Sequence, residues 1–374
     1  MNTFVYQLPS SLSFDNFADV EADILKQLEE QNYDSIVLDA KETKYISSAG
    51  LRVVLGLKKK YENVSVINTS IEVYDIFEMT GFTNIVTVEK ALRNISVEGC
   101  KIIGQGAHGT VYSLAPDTIV KVYIPGSSME EIKNERELSK KAFVLGLPTA
   151  IALDIVKVGE QYGTVFELLN ASSCVKYVKE NQENLDDFVD KAVVLLKKIH
   201  STVCDDGTLP DMKQSHLRYV ENIKGFLKEE EYLKVKKLIE DIEDTKTLIH
   251  GDFHLKNQLL AGNQLMLIDM DTLCTGNPIF EMASVCNSYF EFGEISVKAI
   301  EDFLDIPIDT ANYLWKNISR KYYADLDDEH YQRVIDKARL IGCVRALHYF
   351  KKRNFAEEHK EKCLRDLRKL LDKF

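Results

Sequence analysis

The stretch Ile249-His250-Gly251-Asp252-Phe253-His254-Leu255-Lys256-Asn257 decides how the rest of this chain is read. Its form is HGDxxxxN, and twelve residues past Asn257 comes Leu267-Ile268-Asp269-Met270-Asp271. An isolated Asp in a loop is ordinarily a turn or cap residue, so the weight lies on the joint pattern. Phosphoryl transfer to an alcohol needs a carboxylate at the attacking hydroxyl and oxygen ligands for the metal ions that bridge the phosphates. The set supplies both. Asp252 is expected to orient and deprotonate the acceptor, and Asn257 and Asp269 to hold Mg2+, with Asp271 the alternative ligand. Leu259, Leu260, Leu267 and Ile268 are expected to form a strand pair that fixes the site and floors an adenine pocket. His250 reads as a packed, structural histidine, and His254 as a supporting or solvated one, with contact to substrate the alternative.

Upstream, Ile103-Gly104-Gln105-Gly106-Ala107-His108-Gly109-Thr110-Val111 has the form GxGxxGxV. A lone GxGxxG is also a dinucleotide fingerprint, but that one lies between a strand and a helix. Here β-type residues follow, Thr110-Val111-Tyr112 and then Ile119-Val120-Lys121-Val122, so the three glycines sit between two strands, as in kinases. Glycines let the loop backbone approach phosphates closely. Lys121, in an apolar strand, is expected to grip the α- and β-phosphates. Glu135 on the next helix is its expected acidic partner, with Glu137 second. The run Tyr162 to Asn170, with Glu167 and Leu169, reads as a strand turning polar, where backbone groups would bond the adenine edge.

Two textures divide the chain. From residue 1 to about 95, short strands and helices alternate: Phe4–Leu8, Ile36–Asp39, Val64–Ile67 and Ile85–Val88 read as strands. Phe14–Gln31, Ser48–Tyr61 and Ile71–Met79 have helical spacing. That alternation implies an α/β layer. Glu89 to Gly99 is polar and helix-prone and reads as the linker. After it come a β-rich front and, from Asn181, mainly helices.

The chain of 374 residues carries a net charge of −12, which disfavours nucleic acid as a partner. Seven widely spaced cysteines with no CxxC argue against disulfide or metal frameworks and fit a reducing cytoplasm. The N-terminal residues show no signal peptide, and no apolar run is long enough to cross a membrane.

The catalytic and glycine-loop residues resemble the aminoglycoside phosphotransferase and choline kinase group of protein-kinase-like enzymes, over roughly residues 97–350. His250-Gly251-Asp252…Asn257 is similar to that group's catalytic loop, and protein kinases carry Arg in place of Gly251. Gly276-Asn277-Pro278-Ile279-Phe280-Glu281-Met282-Ala283 resembles its Gly-Asp-Pro…Asp-Leu-Ala segment, with Asn277 and Glu281 where Asp is usual. The resemblance implies a bilobal α+β fold over 97–374, with a β-rich small lobe (about 97–169) and a helical large lobe (about 170–374). It implies ATP or GTP and Mg2+ as cofactors. No Asp-Phe-Gly or Ala-Pro-Glu occurs, which favours a small-molecule acceptor.

Residues 1–96 resemble a STAS domain, the α/β fold of anti-sigma-factor antagonists, through Leu38-Asp39 and Tyr45-Ile46-Ser47-Ser48-Ala49-Gly50-Leu51. That implies a regulatory or docking module with a protein partner. It also implies that Ser48, at a helix N-cap, is a phosphorylation site; ordinary capping explains such a serine equally.

Three functions are therefore expected in order: a small-molecule O-phosphotransferase, a signalling kinase acting on a STAS serine, and a nucleotide-binding scaffold. Acidic runs (Glu301-Asp302…Asp305 and Asp325–Glu329) with Trp315, Tyr322 and Tyr323 suit a cationic acceptor, or are solvated surface, as is Lys351-Lys352-Arg353.

Overall fold

The computed structural model describes residues 2–29, 31–106, 108–352 and 357–374. The chain divides into two compact units, Met1–Ser96 with Val156–Glu160, and Val97–Ile155 with Gln161–Phe374. Val156 and Lys157 group with the first because they pair in parallel with Arg93 and Asn94.

In the first unit, the strands Thr3–Gln7, Ser35–Asp39, Val64–Thr69 and Thr87–Lys90 lie side by side in that order, all parallel. Ile36, Leu38, Val64 and Val66 point into the core beneath the helices Phe17–Leu28, Ser48–Lys60 and Ile71–Met79. Val20, Ile24 and Leu28 are the buried stripe of the first helix, four residues apart, and Phe17 packs beside them. The expected helix-prone linker is corrected here. Thr87–Lys90 and Arg93–Asn94 are strands, because Ser65 and Val66 offer Thr87 and Val88 a sheet edge whose pairing outweighs weak local propensity.

Strands Ile102–Gly106, Gly109–Ala115, Thr118–Tyr123, Gln161–Glu167 and Ala152–Val158 are neighbours in that order, all of the second unit but for the end of the last from Val156 on. The helix Met129–Val144 comes in the chain between Thr118–Tyr123 and Ala152–Val158, started by a capping box between Ser128 and Glu131. The rest is helical around one core that runs from Leu138 to Leu371. Two short strand pairs interrupt it, Gln258–Ala261 with Gln264–Leu267 and Leu248–Ile249 with Cys274–Thr275. All seven cysteines are free. No helix among the described residues is long and apolar enough to cross a membrane.

Candidate active site

The glycine loop is the turn of a hairpin whose last pair is Gly106 opposite Gly109; Ala107, within it, lies outside the described residues. The three glycines are not equivalent. A Cβ on Gly109 would stand 2.2 Å from the Val122 carbonyl oxygen, so close strand packing alone demands glycine there. A Cβ on Gly106 would meet nothing within 4 Å, and one on Gly104 would make only ordinary contact with Val111 at 3.6 Å. Nothing in the protein's own packing requires glycine at these two; they leave space above the loop that a side chain would fill.

Val111 pairs with Lys121 across the hairpin strands. The Lys121 ammonium donates to Glu135 Oε1 at 2.7 Å and to Asp269 Oδ1 at 3.0 Å. Burial works against its charge, but the two carboxylates more than offset this and hold its pKa above the usual lysine range. Glu135 is buried, whereas Glu137 is turned outward to Arg136 and Lys140. Asp269 holds its position with φ +65°, a left-handed conformation that a non-glycine residue adopts at a cost of order 1–3 kcal/mol.

On the other side stands Asp252. Its Oδ2 accepts from His254 Nε2 at 3.2 Å and from Asn257 Nδ2 at 3.0 Å. Burial raises its pKa, yet the His254 hydrogen bond and the charges of His254, Arg345 and His250 leave it well below the usual carboxylate range. The Asn257 amide nitrogen also holds the Asp252 carbonyl, and the Asn257 carbonyl accepts from the Ile268 N–H. Asp252, Asn257 and Asp269 are thus one bonded assembly. His250 is fully buried, with Nδ1 accepting from the Asp252 N–H and Nε2 facing the Ile268 carbonyl at 3.3 Å.

The Gly251 peptide is fixed from both ends. Its N–H donates to Glu281 Oε1 at 3.0 Å, and its carbonyl accepts from Arg345 Nη1 at 2.6 Å and Ser284 Oγ at 3.0 Å. Its φ is +84°, and a Cβ there would lie 2.7 Å from the Thr272 carbonyl oxygen, so Gly251 is obligatory. Sequence reasoning missed Arg345; it arrives from the helix Asp328–Lys352, and nothing local to it marks the role.

The strand pair beneath the site differs from expectation in which residues face out. Leu259 pairs with Met266, and both are half-buried, while Leu267 and Leu265 point into the large core. Period-two alternation therefore puts Met266, not Leu260 or Leu267, beside Leu259. Ile268 is half-buried at the strand's end. Glu167 uses its side chain to accept from the Ile151 N–H at 2.8 Å, and Leu169 follows, half-buried, in the connection out of the sheet.

Asp271 is pushed up to about 7, first by burial, then by the charges of Asp269 and Glu135. Three carboxylates thus crowd one cation, Lys121. Among the described residues no group of three or more His, Cys, Asp and Glu could hold a metal by itself. The donor set is instead Asn257 and Asp269, with Asp271 adjacent. One or two carboxylates completed by phosphate and water is the usual provision for Mg2+, so these residues fit that ion.

A family model described as the phosphotransferase enzyme family matches residues 99–309. The chain belongs to the phosphotransferase enzyme family. A STAS domain model matches residues 1–95, so this phosphotransferase carries an N-terminal STAS domain. No curated protein matches the chain. Its fold is similar to that of a thermostable mutant of the aminoglycoside phosphotransferase APH(4)-Ia in ternary complex with ADP and hygromycin B. The two share 9% identity over 74% of this chain and 96% of that one, with a TM-score of 0.52. A second such mutant, with AMP-PNP and hygromycin B, gives 11% identity, 73% and 93% coverage and a TM-score of 0.51. A choline/ethanolamine kinase family protein from Mesorhizobium loti gives 10% identity, 73% and 91% coverage and a TM-score of 0.47.

Of the other expected residues, the acidic run from Glu301 to Asp305 lies beside the loop 250–257, with the Phe303 ring 4.9 Å from that of His254. Trp315 is buried in the helical core, and Tyr322 bonds His200 Nδ1 at 2.7 Å. Asp305 pairs with Lys179, Asp327 with His330, and Asp328 with Arg320. Lys351 donates to the Asn222 carbonyl at 2.5 Å, and Arg353 lies outside the described residues. Ser48 is exposed and is the first residue of its helix; the N-cap is Ser47, whose side chain accepts from the Gly50 N–H. The expected capping role thus belongs to Ser47, because only the residue outside the helical turn can fold its hydroxyl back onto the free N–H groups.

Proposed function

We propose that this phosphotransferase moves the γ-phosphoryl group of a magnesium-bound ATP or GTP to a hydroxyl of a small molecule. The observation that carries the reading is the junction of Lys121 with Glu135 and Asp269, next to Asp252 and Asn257 on the bonded catalytic loop. Lys121 binds the phosphates, and the backbone at Gly104 and Gly106 approaches them from above. Val111, Leu259 and Ile268 contact the base, and the chain at Glu167 and Leu169 presents backbone groups to its edge. Asn257 and Asp269 hold the metal, which when bound offsets charge on the phosphates.

Asp252 accepts the hydroxyl proton as the acceptor oxygen bonds to the γ-phosphorus. The bridging P–O bond breaks, and its electron pair leaves with the nucleoside diphosphate. With its pKa held low, Asp252 is ionised at neutral pH and orients the hydroxyl from the start; it is a weak base, which suits a loose transition state in which the proton leaves late.

The test is the melting temperature of the protein with ATP or GTP, each with and without Mg2+, because a ligand that binds only the folded state raises it. A rise with one nucleotide that needs Mg2+ supports the reading and names the donor; no rise with either sinks it.

A second reading is supported by the exposure of Ser48 at a helix start, where free N–H groups favour a phosphate. In it the kinase unit phosphorylates a STAS serine and so controls a protein partner. Intact mass after incubation with Mg-ATP tests this: a gain of one phosphoryl group, absent in Ser48→Ala, is the supporting result.

A further inference from the structure

Phe253 and Leu255 are fully buried in the large core, and His254 between them has extended backbone, with φ −148° and ψ 166°. Side chains of an extended chain alternate. With these two turned inward, Asp252 and His254 emerge together on the opposite side. There His254 Nε2 lies 3.2 Å from Asp252 Oδ2, and Asn257 Nδ2 lies 3.0 Å from the same oxygen. Oδ1 receives no hydrogen bond among the described residues. The Arg345 guanidinium is near enough for the carboxylate to feel its charge, but its hydrogen bond goes to the Gly251 carbonyl. The Asp252 side chain is 38% exposed against 5% for His254. One carboxylate oxygen is thus held from within the loop, and the other is left open.

The other ring nitrogen limits what His254 can do. Nδ1 accepts from the Lys256 N–H at 3.3 Å, so the ring hydrogen sits on Nε2, where it is donated to Asp252. A ring whose second nitrogen is tied to a backbone N–H has no path for passing a proton onward. Phe303 holds the same ring from a further side, edge-on at 74° with centroids 4.9 Å apart. It comes from the helix Val297–Leu304. The terminal torsion of an aspartate is broad and two-fold, so a carboxylate keeps one orientation only where donors fix one of its oxygens. Two donors on Oδ2 do this.

We infer that His254 is a positioning residue: its Nε2–H, together with Asn257 Nδ2, pins Asp252 Oδ2 and thereby makes Oδ1 the oxygen that takes the acceptor's proton. The inference rests on the phosphotransferase reading above and names the atom at which it works. The acceptor O–H proton passes to Oδ1 as the acceptor oxygen bonds to the γ-phosphorus. The electron pair of the bridging P–O bond leaves with the nucleoside diphosphate, and His254 keeps its own hydrogen throughout. Glutamine separates this role from proton transfer, because its amide N–H reaches about as far as the imidazole Nε2–H but does not titrate.

The test uses the full chain with Mg2+, whichever of ATP or GTP raises its melting temperature, and water as the acceptor. Release of inorganic phosphate is followed beside nucleotide titration. His254→Leu should lower the rate at saturating nucleotide at least about tenfold, as expected for loss of a hydrogen bond to a charged group, with nucleotide affinity within about twofold. His254→Gln should recover most of that loss. Equal losses in His254→Gln and His254→Leu, or a wild-type rate in His254→Leu, overturn the proposal. Nitrogen NMR of the histidine rings decides the contact independently of turnover and of whether the leucine variant folds. The signal that disappears in His254→Gln should show hydrogen on Nε2 and none on Nδ1, and should move in Asp252→Asn. Hydrogen on Nδ1, or no response to Asp252→Asn, overturns the proposal as well. If the wild type binds no Mg-nucleotide, it is the phosphotransferase reading that has failed, and the NMR result still tells whether Nε2 holds Asp252.

Discussion

Glu281, fully buried, receives the backbone N–H of Gly251 on one carboxylate oxygen at 3.0 Å, and of His250 on the other at 2.6 Å. The loop that carries Asp252 is therefore suspended from a side chain thirty residues further along. Glu281→Ala leaves two buried N–H groups unpaired, which costs about 2–5 kcal/mol of stability. Denaturant melts should show that loss, and kcat should fall more than KM rises. An unchanged midpoint would contradict the suspension.

In the proposed reaction Asp252 bears on the acceptor rather than the nucleotide. Asp252→Asn should lower kcat roughly 1,000-fold, within the range seen for removal of an acid–base group, while nucleotide affinity stays within about twofold. Steady-state kinetics and nucleotide titration of the same preparation separate the two. Equal loss of both would reassign the residue.

Lys121 pairs with Glu135 and Asp269 at once and offsets one of their two charges. Lys121→Met strands both carboxylates and removes the proposed phosphate ligand, so nucleotide affinity should drop at least about tenfold, or 1.4 kcal/mol. Asp269→Ala should instead abolish the magnesium dependence of nucleotide binding. If magnesium dependence survives in Asp269→Ala, Asp271 is the ligand.

The glycines of the loop should separate by mechanism. Gly109→Ala drives a methyl into the Val122 carbonyl and should destabilise the small lobe by about 1–3 kcal/mol. Gly106→Ala meets open space and should leave stability nearly unchanged, yet weaken nucleotide binding. Melting curves with and without Mg-nucleotide distinguish the two.

His216 is held neutral in the fold. Burial pushes its pKa down to about 3, with Arg345 and His348 adding to the effect against the hydrogen bond to the Met212 carbonyl. Below its ordinary value near 6.5 the unfolded chain takes up a proton that the folded one refuses, so stability falls as pH drops. Between about pH 6.5 and 5 this amounts to roughly 1.6 kcal/mol. Unfolding free energies from urea titrations at the two pH values should differ by that much more in the wild type than in His216→Gln.

The parts of the site that are contiguous in sequence were legible. HGDxxxxN and GxGxxGxV each lie within nine residues, and Lys121 and Glu135 within fifteen, so local spacing names them. Glu281 was legible only as a departure from Asp. Its extra methylene carries the carboxylate to both N–H groups, which a list of residue types does not reveal. Met266 was missed because an apolar run reads the same on both faces until a pairing register assigns them.

What the order of residues settled by itself is the chemistry available: which carboxylates, amide and lysine stand in which succession, and that an alternating α/β stretch precedes a β-rich and then helical one. Those follow from local propensity and short spacing, which need no partner. Tertiary structure alone decided that Lys121 meets Asp269 across 148 residues, that Arg345 reaches Gly251 across 94, and that Glu89 and its neighbours extend a sheet rather than a helix. These contacts depend on how faces pack and on which buried groups find partners, and burial is a property of the folded whole.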